Sequence, residues 1–146
     1  MNNFRDPEYP DELFQTALNI LNEEADRPES VERASRLLLA SAEMGSSRAQ
    51  GFVGLECLNG KLFPGDLGAA VKWLELAAQQ GLADAEAELG RLYLEGSGVK
   101  RDESHGLGLI RSAADKGQEV AQANLGNFYM RSLFGIEQDY NEAIKW

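Results

Sequence analysis

Apolar and polar positions alternate along the chain with the period of amphipathic helices. The segment 83–95 is a clear case, with apolar residues at i, i+4, i+7 and i+8 on one helical face: Ala85, Leu89, Leu92 and Tyr93. Gly96 and Gly98 follow and are expected to end this helix, because glycine adopts positive φ at little cost. The pattern predicts a helix over 83–95 that buries one face.

A second amphipathic helix is predicted in each repeat, between the glycines that end the first helix and the next glycine of the repeat. Its clearest copy spans 66–80 and has this inward face: Ala69, Ala70, Trp73, Leu74, Ala77 and Ala78. Asp66, Asp102 and Ser30 are the expected N-caps of three such helices. Gly81 and Gly117 mark the expected ends of two of them.

The helix pairs recur every 36 residues. Residues of one kind return at this step in several columns: Gly45, Gly81 and Gly117; Ala42, Ala78 and Ala114; Ala49, Ala85 and Ala121; Gly54, Gly90 and Gly126. Small residues in these columns let helix backbones approach closely. One helix pair cannot bury both of its faces, so successive pairs are expected to stack into an all-α solenoid.

The period divides the chain into units of one domain, 1–146. We expect an N-terminal capping helix pair at 1–45, complete repeats at 46–81 and 82–117, and an incomplete repeat at 118–146. The first cap helix is a degenerate copy over 11–24, and Pro28 is expected in the connection that follows it. Gly106 and Gly108 weaken the helix that contains them. The last helix stops at Trp146 before its Ala and Gly columns, so we expect either that the chain is truncated or that another chain, such as a second copy, covers the open end.

The columns resemble a known repeat. Residues 83–117 carry Ala85-x3-Leu89-Gly90-x2-Tyr93-x2-Gly96-x-Gly98 and then Ala113-Ala114-x2-Gly117, and Ala121-x3-Leu125-Gly126-x2-Tyr129 follows. This pattern is similar to the Sel-one-like repeat (SLR), a relative of the tetratricopeptide repeat. The resemblance implies an α/α superhelical solenoid of antiparallel helix pairs with a right-handed superhelix. It also implies a non-enzymatic scaffold or adaptor that binds a protein or peptide; some members are immunity proteins that neutralise a toxin.

The resemblance also implies where a partner binds. In such superhelices the first helix of each repeat lines the concave groove, which turns these residues toward a partner: Asn19, Asn22, Arg48, Leu55, Leu58, Asn59, Asp84, Arg91, Leu94, Asn127, Met130 and Arg131. Leu55, Leu58, Leu94 and Met130 are expected to form an exposed apolar strip flanked by the three arginines. An apolar patch with a polar rim is typical of a protein interface. The alternative for each residue is packing against the next helix pair.

Charge narrows the choice of partners. The chain has 24 acidic residues against 14 Lys and Arg, a formal net charge of −10. This balance disfavours nucleic acid and anionic membranes, and the longest apolar run, Leu37–Ala40, is far shorter than the ~20 residues of a membrane span. Residues 1–30 hold eight acids and two bases. Their excess charge either serves solubility or steers a basic partner.

The sequence offers little for catalysis. His105 is the only histidine and is interpreted as a solvated surface residue; Cys57 is the only cysteine and is interpreted as a small core residue. Gly96-Ser97-Gly98 is interpreted as a helix-to-helix turn and not as a phosphate loop. We therefore expect no enzyme activity, cofactor or metal, with a hydrolase as the disfavoured alternative. The single cysteine favours a reducing, cytoplasmic location.

Overall fold

The structure is a computed structural model that describes residues 9–131 and 140–146. Every regular element in these two ranges is a helix. The helices are α1 (Tyr9–Glu24), α2 (Pro28–Glu43), α3 (Ser47–Asn59), α4 (Leu67–Gln79), α5 (Ala83–Glu95), α6 (Glu103–Asp115), α7 (Glu119–Arg131) and α8 (Tyr140–Lys145). Helix α5 spans the predicted 83–95.

The chain divides between Gln80 and Gly81 into two compact units. In unit 1, α1 packs on α2, α2 on α3 and α3 on α4. Its core is built around Phe14, Leu38 and Val53, with Trp73 partly buried against it. In unit 2, α5 packs on α6, α6 on α7 and α7 on α8, around a core that includes Ile110, Leu125 and Phe128. Stacked helix pairs confirm the all-α solenoid prediction.

Most of the predicted helix ends are confirmed. The Asp66 carboxylate accepts a hydrogen bond from the Ala69 amide at 3.1 Å, and the Asp102 carboxylate caps α6 in the same way, through the His105 amide at 3.0 Å. Gly96 ends α5 in the left-handed region at φ +70°. Each cap satisfies a backbone group that the helix leaves unpaired.

Two predictions about the start of α2 are wrong. Helix α2 begins at Pro28, not at Ser30, and Arg27 is its N-cap without a side-chain hydrogen bond. The Ser30 hydroxyl instead donates to the Glu24 carboxylate at the end of α1. Pro28 therefore lies in the first turn of a helix and not in a loop. Its fixed φ and missing amide proton suit the first position of a helix.

The glycine column allows helices to approach closely within each unit. A Cβ added at Gly54 would lie 2.8 Å from Cγ of Leu74, and one at Gly90 would lie 2.8 Å from the Gly106 carbonyl oxygen. A Cβ at Gly106 would in turn lie 2.8 Å from the Gly90 carbonyl oxygen. Gly106 thus has a packing role in the contact between α5 and α6, which the sequence interpretation had treated only as a weakness.

Candidate interaction surface on the first helix of each repeat

In unit 1, the predicted partner-facing residues lie on α1 and α3. Asn19, Asn22, Arg48 and Asn59 are exposed, while Leu55 and Leu58 are half-buried. The Arg48 guanidinium lies over the Phe14 ring, 4.9 Å from its centroid. This cation–π contact holds the arginine against the surface while leaving its edge accessible to solvent. Unit 1 therefore presents a mainly polar surface with amide groups and one positioned cation.

In unit 2, the predicted residues lie on α5 and α7. Asp84 and Arg131 are exposed, Met130 is 51% exposed, and Asn127 is half-buried. The Asp84 carboxylate accepts a hydrogen bond from the Gln118 amide at 3.2 Å. Asp84 is therefore already engaged in joining the start of α5 to the residue before α7.

Leu94 is a wrong prediction. Its side chain is only 6% exposed and belongs to the core of unit 2. The reason is Gly106: a Cβ there would lie 3.0 Å from Cγ of Leu94, so the leucine fills the space that the glycine leaves open on α6. Of the four predicted apolar residues, Met130 is the most exposed, while Leu55 and Leu58 are half-buried.

Arg91 lies between two carboxylates on its own helix. Its guanidinium donates to Glu88 at 3.0 Å and to Glu95 at 2.7 Å. Burial alone would lower the Arg91 pKa, but the hydrogen bonds to Glu95 and Glu88 outweigh it and raise the pKa above its ordinary value. With two acids beside one base, this part of α5 presents a net negative surface and not the cationic flank expected from the sequence.

His105 and Cys57 lie where the sequence predicted, the first at the surface and the second in the core. His105 is exposed, and its ring stands edge-on to Tyr93 with centroids 4.5 Å apart. Cys57 is a buried free thiol, and burial raises its pKa, with further contributions from the charges of Asp66 and Glu56. Among the described residues there is no cluster of three His, Cys, Asp or Glu side chains that could hold a metal ion.

A partly buried polar contact repeats in both units and was missed in the sequence. In unit 1, the Gln80 amide donates to the Gly45 carbonyl at 3.0 Å and to Oε1 of Gln50 at 2.8 Å. We call this contact, and its copy in unit 2, the polar clasp. Its three positions recur 36 residues later with polar side chains at both side-chain positions, so the columns contained the signal that could have revealed it.

The unit 2 clasp replaces two amides by an ion pair. Nζ of Lys116 donates to the Gly81 carbonyl at 3.1 Å and to Oε1 of Glu86 at 2.7 Å. The Ser112 hydroxyl donates to the same oxygen at 3.1 Å. The side chain of Glu86 is 8% exposed, and that of Lys116 is 40% exposed. A nearly buried carboxylate is thus balanced by a half-solvated ammonium.

No helix within 9–131 and 140–146 is both long and apolar enough to cross a membrane. Helix α4 has the highest apolar content of the seven longer helices, yet it is only 13 residues long and includes Lys72 and Glu75.

Comparisons with known proteins agree on one family. The family model of the Sel1 repeat matches residues 47–82, 83–118 and 120–146, about two-thirds of the chain. No curated protein matches the chain. Sel1 repeats commonly act as protein–protein interaction modules, and their fold is typically a non-enzymatic scaffold.

Solved structures support the same assignment. Two of them align with TM-scores of 0.83 at 28% identity over 94% of this chain: a protective antigen present in uropathogenic Escherichia coli strains that displays an SLR fold, and a Sel1 repeat protein from Oxalobacter formigenes. The chain spans only 29% and 56% of their lengths. Cysteine rich protein B of Helicobacter pylori shares the fold, with a TM-score of 0.61 and 22% identity over 78% of this chain and 92% of its own. The chain belongs to the Sel1 repeat family.

Proposed function

We propose that this chain binds a protein or peptide partner through the first helices of its repeats, without catalysing a reaction. One observation carries the proposal. The positions predicted to face a partner on α1, α3, α5 and α7 keep solvent exposure, apart from Leu94, while the repeat columns of the same helices are buried. These helices therefore bury one face in the unit and leave another for contacts.

The chemistry of the exposed positions suits an extended peptide. Asn19, Asn22, Asn59 and Asn127 each carry an amide that can both donate and accept hydrogen bonds, as a peptide backbone requires. The thioether of Met130 offers an adaptable apolar contact. Recognition of this kind combines backbone hydrogen bonds with a few apolar anchors.

Affinity capture with matched variants tests this proposal. We would immobilise the wild type, an Arg48→Glu/Asn59→Asp variant for unit 1 and an Asn127→Asp/Met130→Asp variant for unit 2, and quantify captured proteins by mass spectrometry. Arg36→Glu on α2 is the control, because its side chain is 73% exposed and its ion pair with Glu32 is a surface contact of little energetic value. Circular dichroism would establish that all variants are folded.

The expected result is a partner that the wild type and the control retain and that at least one surface variant loses. Equal recovery from every variant would contradict the assignment of the surface. If the wild type captured no specific protein, that result would contradict the interaction function itself. Turnover of a hydrolase substrate that disappears in a single carboxylate variant would contradict the proposal that the chain is not an enzyme.

A narrower version of the same function is that of an immunity or inhibitor protein that neutralises a basic toxin. The acidic excess of residues 1–30 favours it, although residues 1–8 lie outside the described ranges. In α1, acids occupy the first turn and no base lies in the last turn. A neighbouring gene for a basic toxin, and inhibition of that toxin by the purified chain, would support this version; toxin activity unchanged by the chain would contradict it.

Location and self-association belong to the same proposal. The lone buried thiol of Cys57 supports a reducing, cytoplasmic location. Trp146 packs partly buried against the core of unit 2, with Nζ of Lys145 5.0 Å from its ring centroid. Fractionation of cells would test the location. Light scattering would test self-association, for which a monomer at high concentration is the contradicting result.

A further inference from the structure

The polar clasp has a third copy at the start of α7, and there only its two acceptors are present. Gly117 and Gln122 stand 36 positions after Gly81 and Glu86, the acceptors of the unit 2 clasp. Neither the Gly117 carbonyl oxygen nor Oε1 of Gln122 accepts a hydrogen bond from the described residues. We call these two oxygens the open acceptor pair.

The amide of Gln122 is anchored like the amide in the occupied clasp of unit 1. Its Nε2 donates to the Ala114 carbonyl oxygen at 3.1 Å, and Nε2 of Gln50 donates to the equivalent carbonyl oxygen of Ala42 at 3.1 Å. In unit 1 the other end of that amide, Oε1 of Gln50, accepts from Gln80 at 2.8 Å. Since Gln122 has the same anchor, its Oε1 is oriented before a donor arrives, which reduces the entropy lost on binding.

The open acceptor pair lies on an uncovered part of α7. Gln50 and Glu86 are buried in the complete repeats, whereas Gln122 is half-buried. At the next position of the repeat, Ala87 is buried in the core of unit 2, whereas Ala123 is exposed. A side chain from another molecule can therefore approach the pair from solvent.

The two occupied clasps define the donor that such a pair takes. The neutral amide of Gln50 accepts from the neutral amide of Gln80, and the carboxylate of Glu86 accepts from the ammonium of Lys116. An ammonium beside a neutral acceptor would lose hydration without gaining a counter-charge. Because Gln122 is neutral, its matching donor is a glutamine amide and not a lysine.

Both donors are the C-cap residues of second helices and follow a pair of alanines. The endings are Ala77-Ala78-Gln79-Gln80 for α4 and Ala113-Ala114-Asp115-Lys116 for α6. The two alanines of α6 pack in the core of unit 2 together with Ala87 of α5, and Ala123 holds the position of Ala87 on α7. A helix that ends in Ala-Ala-x-Gln therefore fits against α7 with the same close approach.

We propose that the open acceptor pair binds the C-cap glutamine of a helix in a partner protein, and that this helix packs along the first turns of α7. The inference rests on the proposed interaction function and adds a docking site beside the partner-facing positions of α7. Among the described residues of a second copy of this chain, the helix with the matching ending is α4, and its Gln80 is already bound to Gly45 and Gln50. The occupant is therefore a different protein.

Titration with a peptide tests the site without knowledge of the partner. The probe is the blocked peptide of residues 66–81, which contains α4 and its C-cap glutamine, and two matched peptides carry Gln80→Leu or Gln80→Lys. Added to the ¹⁵N-labelled chain, the glutamine peptide should give saturable chemical-shift changes at the amides of Gly117, Gln122 and Ala123. A dissociation constant on the order of 0.1–1 mM is appropriate for one short helix. The Gln80→Leu peptide should bind at least about 5-fold more weakly, because it lacks the donor.

An exchange of charge assigns the binding to Gln122. The wild type should bind the Gln80→Lys peptide at least about 5-fold more weakly than the glutamine peptide. Gln122→Glu introduces the residue that unit 2 carries at position 86, and it should reverse this order, because a carboxylate pairs with the ammonium. Asn124→Asp adds the same charge to α7 and is the control, which should keep the wild-type order. Circular dichroism would establish that both variants are folded.

Three results would overturn the inference: no saturable shifts at the first turn of α7, equal binding of the Gln80→Leu peptide, or an unchanged order of affinities in Gln122→Glu. Its failure is distinct from failure of the proposed function, since a captured partner that Gln122→Glu retains and the Asn127→Asp/Met130→Asp variant loses would refute only the docking site. Conversely, a wild-type chain that captures no specific protein would contradict the proposed function, and with it a partner protein as the source of the helix, even if the peptide binds.

Discussion

The polar clasp of unit 2 contains the buried Glu86 carboxylate, and the clasp of unit 1 has an uncharged Gln50–Gln80 pair at the same positions. Comparing the two allows the contribution of a buried charge to stability to be measured. Lys116→Met removes the ammonium that balances Glu86 and also the donor to the Gly81 carbonyl. The Ser112 hydroxyl is then the remaining hydrogen-bond donor to the Glu86 carboxylate among the described residues. We expect this variant to be clearly destabilised.

The magnitude follows from burial. Removing one partner of a fully buried ion pair costs about 3–5 kcal/mol. Here the Glu86 side chain is 8% exposed but the Lys116 side chain is 40% exposed, so water already screens part of the interaction. We therefore expect a loss of about 2–3 kcal/mol in the free energy of unfolding.

The double variant Glu86→Gln/Lys116→Gln recreates the amide pair of unit 1, where Gln80 donates to Gln50 at 2.8 Å. It leaves no charge in the clasp and retains a donor for the Gly81 carbonyl. We expect its free energy of unfolding to be within about 1 kcal/mol of that of the wild type.

Urea denaturation followed by far-ultraviolet circular dichroism measures both variants. With a urea dependence of about 1–3 kcal/mol per molar, a loss of 2–3 kcal/mol moves the midpoint by roughly 0.7–3 M. A Lys116→Met midpoint equal to that of the wild type would show that the carboxylate needs no counter-charge. A double variant as unstable as Lys116→Met would show that geometry, and not the buried charge, determines the loss.

Three further predictions concern single positions. Gly108→Ala should stabilise the chain by about 0.5–1 kcal/mol, because the added Cβ meets open space. Gly106→Ala should destabilise it by about 1 kcal/mol, because the added Cβ would lie 2.8 Å from the Gly90 carbonyl oxygen. Paired urea titrations check that the two changes in unfolding free energy have opposite signs. Asp66→Ala removes the N-cap of α4 and should cost about 1 kcal/mol, seen as a lower melting temperature; an unchanged value would contradict the role of the cap. The Cys57 thiol should react with iodoacetamide at pH 8 at least about 10-fold more slowly in the native chain than in guanidinium, because burial raises its pKa and limits access. Since the folded-state pKa exceeds the ordinary value of 9.0, the neutral thiol contributes to native stability below pH 9.0, and this contribution should be lost as pH rises through the folded pKa. If the native thiol reacted as fast as the denatured one, the burial of Cys57 would be contradicted.

The period of 36 residues was enough to determine the helix pairs, because the residues that cap and end the helices act locally. Asp66 and Asp102 cap helices through contacts three residues away, and Gly96 ends α5 through its own backbone conformation. Such interactions depend on neighbours in sequence. They can therefore be predicted without knowledge of the tertiary fold.

The start of α2 depended on a choice between competing local signals. Ser30 matches the cap column, yet Pro28 is also a favoured first residue of a helix, and the helix begins there. The Ser30 hydroxyl is then available to the Glu24 carboxylate of the preceding helix. The 36-residue period predicted an N-cap at position 30, but the first helix pair does not follow the repeat at this position.

The partner-facing surface was decided only in part by the sequence. Helical spacing placed Asn19, Asn22 and Asn59 correctly on exposed positions, because spacing determines which residues share a face. Leu94 shares such a face, but the space beside Gly106 on another helix draws it into the core. Its burial depends on a packing partner 12 residues away, which helical periodicity does not encode.

By itself, the sequence determined the repeat, the helix pairs, the family and the acidic character, since all of these follow from residue type and spacing. Only the tertiary structure decided that Glu86 is buried, that its Oε1 pairs with Lys116, and that its Oε2 is buried without a hydrogen-bond partner among the described residues. The physical reason is distance in the chain: Lys116 follows Glu86 by 30 residues. The energy of that contact depends on burial and geometry, which arise only when helices pack together.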